Sequence, residues 1–391
     1  MYLKQLRKVM GLLLLILFIT SCGKNNSKQQ NSTDDIIHFQ VGERKSPDEY
    51  TRIKASELYS KVHGFELDKS GGPIGAVSKV MVYKDKLYVL DVHKAKELFV
   101  YDLKNKGRFL YKISSKGRGP GEYTMLTDFC IDLKNDQILI ADPILRRISY
   151  FDSHGNFKKA DQLDFNPTQI ACKGDFICVI CNTNKAEDAG VKIIDRNKNV
   201  VAELLPHKDY PKHGFYESGF TYVGDKLLLN YPYCETIFEV KGKSLKPYLT
   251  LNCNGKSFRD YVRENDIKVD FKLNLFDEEY KEVIIPYTYY ENDKFRMFRY
   301  RQGGYRYVCQ IKTLNGNGPC DVIVSDDIFN LAFNFKSYDQ KYGTVCLISP
   351  MALGRFDKEQ IKKNNQILSE QLIHDISKAS IDSNPFILFY K

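Results

Sequence analysis

Two stretches of this 391-residue chain have residue types and spacings that could do chemistry. Lys116-Gly-Arg-Gly-Pro-Gly-Glu-Tyr123 has the glycine content of a loop that cradles a phosphate. Such a loop needs a following helix whose first N–H groups point at the anion, whereas Thr124 onward reads as a strand. The expected role of Arg118, Gly119, Pro120, Gly121, Glu122 and Tyr123 is therefore a turn between repeats. There the glycines permit positive φ, and Glu122 accepts backbone N–H bonds or pairs with Arg118. The second stretch interleaves Tyr289, Tyr290, Arg296, Arg299, Arg301, Tyr305 and Arg306 over successive strand-like runs. Aromatic rings and guanidinium groups facing solvent could stack on sugars or grip carboxylates, so these residues form a candidate ligand-binding patch.

Catalytic signatures are missing. The sequence has no Gly-x-Ser-x-Gly, no His-Glu-x-x-His and no cluster of His and acids at metal spacing, so no catalytic residue and no cofactor is expected. His93 and Asp142 lie near strand ends, where they could reach an axial site, or serve as solvated loop and strand-end groups. Cys172, Cys178 and Cys181 do not have zinc spacing. They read as buried thiols, with a disulfide between Cys172 and one of the other two as the alternative.

What must position these residues is a repeat. Lys86–Asp91 and Glu97–Asp102 are continuous runs of β-branched, aromatic and aliphatic residues closed by an acid. A turn at 103–107 leads to a third run, Phe109–Ile113, and residues 77–83 precede them as the first. Gln137–Asp142 and Arg147–Asp152 repeat the middle pair about 50 residues on, and weaker copies follow at 176–195 and 226–240. Four short antiparallel strands cannot bury both faces alone, so similar units must pack beside them. The reading is all-β: a six-bladed β-propeller of four-stranded antiparallel blades near 77–113, 124–165, 167–205, 218–251 and 282–323, the last shared between 326–390 and 58–67. The early strand 58–67 would close the ring. A helical insertion opens at Ser257 and Asp260 with a capping-box pattern, and a helix over Asp357–Lys378 carries Ile361, Leu368, Leu372 and Ile376 on one stripe; both belong on the periphery.

The amino terminus reads as a processing signal over 1–21: Lys4, Arg7 and Lys8, an apolar stretch Val9–Ile19, then Ile19-Thr-Ser-Cys22. Removing those three cations lowers the formal charge from +9 to +6, spread along the chain, which does not indicate a nucleic-acid partner. Residues 24–35 contain no aliphatic or aromatic side chain, and 22–49 is expected to be a flexible tether ahead of a propeller over 50–391. Residues 19–22 look like a bacterial lipobox, which implies lipid attachment at Cys22. The absence of Trp argues against a WD-type repeat.

The glycine-rich turn after the first repeat, the lipobox and the terminal Asn384-Pro-x-x-x-x-Tyr390 strand together resemble the six-bladed β-propeller lipoproteins of Bacteroidetes, which are similar to NHL-repeat propellers. The resemblance implies a cell-envelope protein held at the outer membrane through its lipid. Residues 23–27 lack the acids that resemble a surface-display code, which points to the periplasmic face. The expected function is a monomeric binding or interaction module for a glycan, a peptide or an envelope protein. The alternative is a propeller lyase or hydrolase with an axial divalent metal, and a purely structural role is a third reading.

Overall fold

The computed structural model describes residues 36–391 apart from 44, 47, 183–184, 186, 208–218, 266, 268–279, 303–306, 314–320, 333–334, 354–360 and 362. The expectations at Cys22, Tyr305 and Arg306, and the start of the helix placed at 357, lie outside the described residues.

The strands form six sheets. Sheet 1 holds Lys79–Tyr83, Lys86–Asp91, Glu97–Asp102 and Arg108–Ile113. Sheet 2 holds Asp128–Asp132, Gln137–Asp142, Arg147–Asp152 and Phe157–Gln162, and sheet 3 holds Asn166–Lys173, Phe176–Asn182, Ala189–Asp195 and Val200–Pro206. Sheet 4 comprises Phe220–Val223, Lys226–Asn230, Thr236–Lys241 and Ser244–Asn252. Sheet 5 comprises Ile284–Glu291, Phe295–Gln302, Tyr307–Thr313 and Val322–Asp326. In sheet 6, Phe335–Asp339, Gly343–Ile348 and Phe386–Tyr390 are completed by Val62–Glu66, which pairs antiparallel with Phe386–Tyr390 and so joins an early strand to the last one. Five sheets have four or five strands; sheet 5 has six, because it gains Thr51–Lys54 and the two-residue strand Leu331–Ala332. This is an all-β propeller with four-stranded antiparallel blades and few helices.

The middle strands explain why the repeat was visible. Lys86–Asp91 and Gln137–Asp142 are buried along both faces after their first residue, so their apolar runs are continuous rather than alternating. The outer strand Phe157–Gln162 is largely exposed and reads FKKADQ. Apolar layers fill the space between neighbouring sheets: Tyr88 and Phe129 between sheets 1 and 2, Leu139 and Ile177 between 2 and 3, Ile180 and Leu229 between 3 and 4. Leu249 and Phe298 lie between sheets 4 and 5, Met297 and Leu388 between 5 and 6, and Val345 and Val89 between 6 and 1.

Three boundaries differ from expectation. The fold starts before residue 50: Ile37–Gln40 pairs parallel with Ser244–Asn252, and Phe39 and Val41 are buried. The alternation of Ile37, Phe39 and Val41 with His38 and Gln40 gives this segment an apolar face, so it is ordered as a strand rather than a flexible tether. Second, Leu58 ends a short helix, Ala55–Leu58, and the closing strand begins at Val62. Third, the C-terminal helix is regular over Glu370–Lys378, where Ser369 caps it by accepting the Leu372 N–H. Before it, Leu368 leaves helical geometry to bridge Val62, although Ile361, Leu368, Leu372 and Ile376 are all buried as the stripe predicts. The insertion helix, Phe258–Glu264, starts at the expected cap: the Ser257 side chain accepts the Asp260 N–H.

Candidate functional site

Neighbouring sheets meet through their first strands, and hydrogen bonds between them fix the direction of those strands. An Asp128 carboxylate oxygen accepts the Ile170 N–H, and Cys130 Sγ lies 3.3 Å from Cys172 Sγ; both pairs are 42 residues apart. Gly219 N–H donates to Gln169 Oε1, and Cys172 N–H donates to the Tyr222 hydroxyl; both pairs are 50 residues apart. Constant offsets mean that the first strands of sheets 2, 3 and 4 run side by side in the same direction. Within each antiparallel sheet, the turns joining first to second and third to fourth strands then emerge on one rim, and all other connections emerge on the opposite rim.

The two rims differ in length of chain. Among the described residues, the first carries tight turns at 84–85, 103–107, 133–136, 153–156, 174–175, 196–199, 224–225, 242–243, 292–294 and 340–342. The second carries 67–78, 114–127, 207–219, 253–283 and 349–385.

The glycine-rich turn belongs to this long-connection rim. Gly117 has φ 154° and Gly121 φ 78°, and a Cβ at Gly117 would lie 2.0 Å from Glu122 Oε2. Glu122 folds back to accept the Gly119 N–H at 2.8 Å. Arg147, from sheet 2, donates to the carbonyls of Arg118, Gly119 and Glu122, while Arg118 itself is exposed. The Tyr123 hydroxyl, buried, donates to the Lys96 carbonyl at 2.6 Å. The next regular element is the strand Asp128–Asp132. The Gly119 N–H is directed inward to Glu122, and those of Gly117, Glu122 and Tyr123 to backbone carbonyls, while the ion that grips the turn is Arg147, a cation outside the motif.

Asp142 is 1% exposed and accepts from the N–H groups of Thr124, Met125, Ile144 and Leu145. Asp91 is its equivalent in sheet 1, accepting from Gly75, Ala76, His93 and Lys94. Burial alone would raise the Asp91 carboxyl, but these N–H donors outweigh it and hold it below the usual carboxylate range. These acids close the second strands of sheets 1 and 2 by pinning two loops, a structural task that leaves little lone-pair capacity for chemistry. The His93 side chain is exposed.

Among the described residues of the tyrosine and arginine patch, the two tyrosines do not face solvent, while Arg296, Arg299 and Arg301 are half-buried. Tyr289 and Tyr290 are 3% and 2% exposed, because the first strand of sheet 5 is covered on both faces by neighbouring sheets and alternation turns neither ring outward. The Tyr290 hydroxyl meets Thr344, and Tyr289 donates to Glu291. Glu291 also accepts from Tyr248 at 2.9 and 3.0 Å and pairs with Arg296 Nε at 3.2 Å. Arg299 lies over the rings of Tyr287 and Phe335, and Arg301 is half-buried.

The polar centre that the sequence did not announce lies on the first strands. Lys79 Nζ, only 10% exposed, contacts Asp128 Oδ1 at 2.8 Å and the Phe129 carbonyl at 2.7 Å. Burial pushes the Asp128 carboxyl up, against the opposing pull of Lys79. Beside it stand Cys130, Cys172 and the Tyr222 hydroxyl, which both accepts from Cys172 N–H and donates to the Cys172 carbonyl. Burial also pushes the Cys130 thiol well up, with Cys172 adding to the shift. These residues have no motif spacing. Their signal is recurrence at two levels one residue pair apart: Lys79 and Asp128 at one depth, and Cys130, Cys172 and Tyr222 at the next, each set one repeat apart along the chain. Among the described residues, no group of three His, Cys, Asp or Glu side chains is placed to hold a metal ion.

Known proteins add the family but no activity. The chain belongs to a family described as a domain of unknown function, DUF4934, whose profile matches residues 39–391. It is similar in structure to a candidate exported protein from Bacteroides fragilis, with a TM-score of 0.69 at 16% identity, covering 91% of this chain and 99% of that one. A DUF4221 member from Bacteroides vulgatus matches with a TM-score of 0.48 at 11% identity, covering 85% and 96% of the two chains. A streptogramin B lyase matches at 0.41 and 11%, covering 85% and 99%. The first likeness shows the fold; the other two are too low to carry an argument. None of the curated proteins matches. Among the described residues, no helix is long and apolar enough to cross a membrane.

Proposed function

We propose that this chain is an exported, lipid-anchored, six-bladed β-propeller that binds a glycan, a peptide or an envelope protein through its long-connection rim. Six sheets with an apolar layer between each neighbouring pair support the blade number, with sheet 5 widened by two short additions. The basic, apolar and lipobox segments ending at Cys22 support export and anchoring at the periplasmic face of the outer membrane, and the exported-protein neighbour agrees with export. The observation that carries the binding reading is the asymmetry of the rims. Among the described residues, tight hairpin turns on one side leave little chain free to vary, while five long connections on the other can shape a recognition surface without disturbing strand register. The axial-metal enzyme reading has less support, because Asp91 and Asp142 are committed to backbone N–H groups. The protein acts as a monomer and does not bind nucleic acid in this reading.

The test has two arms. Cell fractionation of the full chain with Cys22 intact or replaced (Cys22→Ala) reads anchoring; the wild type is expected with outer membranes and the variant released. Purified protein on glycan and peptide arrays is expected to bind a class of ligand, with loss in Arg118→Ala on the long-connection rim and retention in Lys104→Ala on the other. Ligand conversion to product, or loss confined to Lys104→Ala, would overturn the binding reading.

A further inference from the structure

We infer that Cys130 and Cys172 are a disulfide-forming pair that covalently joins the first strands of sheets 2 and 3. The two sulfur atoms stand 3.3 Å apart, so an approach of about 1.3 Å brings them to bonding distance. The partner of Cys172 is thus in the adjacent sheet, not among the nearby cysteines first considered. Cys178 pairs across the strand with Ala171, which puts it on the opposite face from Cys172, and Cys181 lies far along the strand opposite Pro167. Strand register keeps the Cys130 and Cys172 side chains facing each other: Asp128 accepts the Ile170 N–H two residues before both cysteines. Tyr222 fixes the Cys172 backbone through two hydrogen bonds of 3.0 and 2.9 Å. The backbone around Cys172 is held and the two strands are in register, so the bond forms with little loss of backbone freedom.

The chemistry requires an oxidant, and a disulfide-exchange partner supplies it. One cysteine thiolate attacks a disulfide such as oxidised glutathione, releasing one glutathione thiolate. The second cysteine thiolate attacks the mixed disulfide and releases the other. Two protons and two electrons leave the protein, and two glutathione thiols are formed. Both residues are buried, at 0% and 4% exposure, so exchange proceeds while the blades are closing or through local opening. Occurrence of the bond in the cell rests on the export proposed above, because an oxidising compartment sustains it.

The full chain is incubated with oxidised glutathione in urea below its unfolding transition, trapped with an alkylating agent in denaturant, and mapped by mass spectrometry without reduction. The expected product is a cross-linked peptide pair containing Cys130 and Cys172, two hydrogens lighter than the sum of the free peptides. Cys130→Ser should lose it and leave Cys172 to be alkylated or glutathionylated. Thermal melting should fall by several degrees on reduction of the cross-linked wild type and stay unchanged in Cys172→Ala. Full alkylation of both cysteines, or Cys172 bonded to a different cysteine, would overturn the inference. Fractionation reads export independently, so a chain retained in the cytoplasm would sink the proposed function and leave this pairing test standing.

Discussion

On the tight-turn rim, charged side chains reach from one blade to the next. Arg196 of sheet 3 grips Asp132 of sheet 2 with two hydrogen bonds of 2.6 and 3.0 Å, and Lys84 pairs with Asp136 across sheets 1 and 2. Asp85 receives Lys341 and the Tyr342 hydroxyl from sheet 6, closing the last sheet onto the first. On the long-connection rim the contacts are of another kind: Asp91, Asp142 and Glu122 turn inward onto backbone N–H groups, and Arg147 turns onto carbonyls. The tight-turn rim is stitched between blades mainly by paired charge; the other, apart from the Lys79–Asp128 pair at the start of the first strands and the Arg259–Glu235 pair, is held largely loop by loop to backbone groups. The difference assigns the work: a rim whose turns are fixed by strand register can carry ring closure, and a rim of long connections can vary in sequence while each loop stays pinned at its base.

The sharpest way to break this comparison is Arg196→Met. It strands Asp132, which is 1% exposed, without its cation. Loss of one member of a buried pair costs about 3 kcal/mol or more, read as a lowered urea midpoint with an unchanged slope. Arg147→Met, its counterpart on the opposite rim, removes donors to neutral carbonyls and should cost about 1–2 kcal/mol in the same assay. Equal losses in the two variants would erase the distinction between the rims.

Two titrations sharpen it further. Burial pushes the Tyr88 hydroxyl, between sheets 1 and 2, up to about 12, and burial with Glu291 does the same for Tyr248. Groups raised in the folded state contribute stability fully below their free value near 10 and lose it as pH rises through 12. Tyrosinate absorbance should therefore rise late, together with alkaline unfolding; a full rise near pH 10 in folded protein would contradict the packing of this wall. The smallest effect expected is at Asp85, whose carboxyl is held well below the ordinary range by Lys341, Tyr342 and Lys104. Its contribution is present above the ordinary carboxylate value and lost as pH falls toward the lowered one. Asp85→Asn should shift the acid unfolding midpoint slightly, and added salt should shrink the difference from wild type.

Much of this fold could be read from local sequence. Lys86–Asp91, Glu97–Asp102, Gln137–Asp142 and Arg147–Asp152 have the boundaries their apolar runs predict, because a strand buried on both faces writes that burial into consecutive residues. The Ser257 cap and the stripe ending at Leu372 and Ile376 were legible for the same reason: each depends on residues three or four apart. The candidate site was hardly legible. Tyr289 and Tyr290 looked like a surface because one strand cannot report that both its faces are covered.

The sequence by itself determined the strands, their turns and their recurrence, since these follow from short-range periodicity and backbone chemistry. Tertiary structure alone decided that Lys79 meets Asp128, that Cys130 meets Cys172 and that Tyr222 holds the latter, and it set which connections share a rim. Those contacts join residues 42 to 50 positions apart on separate sheets. Nothing in the local pattern fixes them; they arise when whole blades pack and bring equal depths of successive repeats side by side.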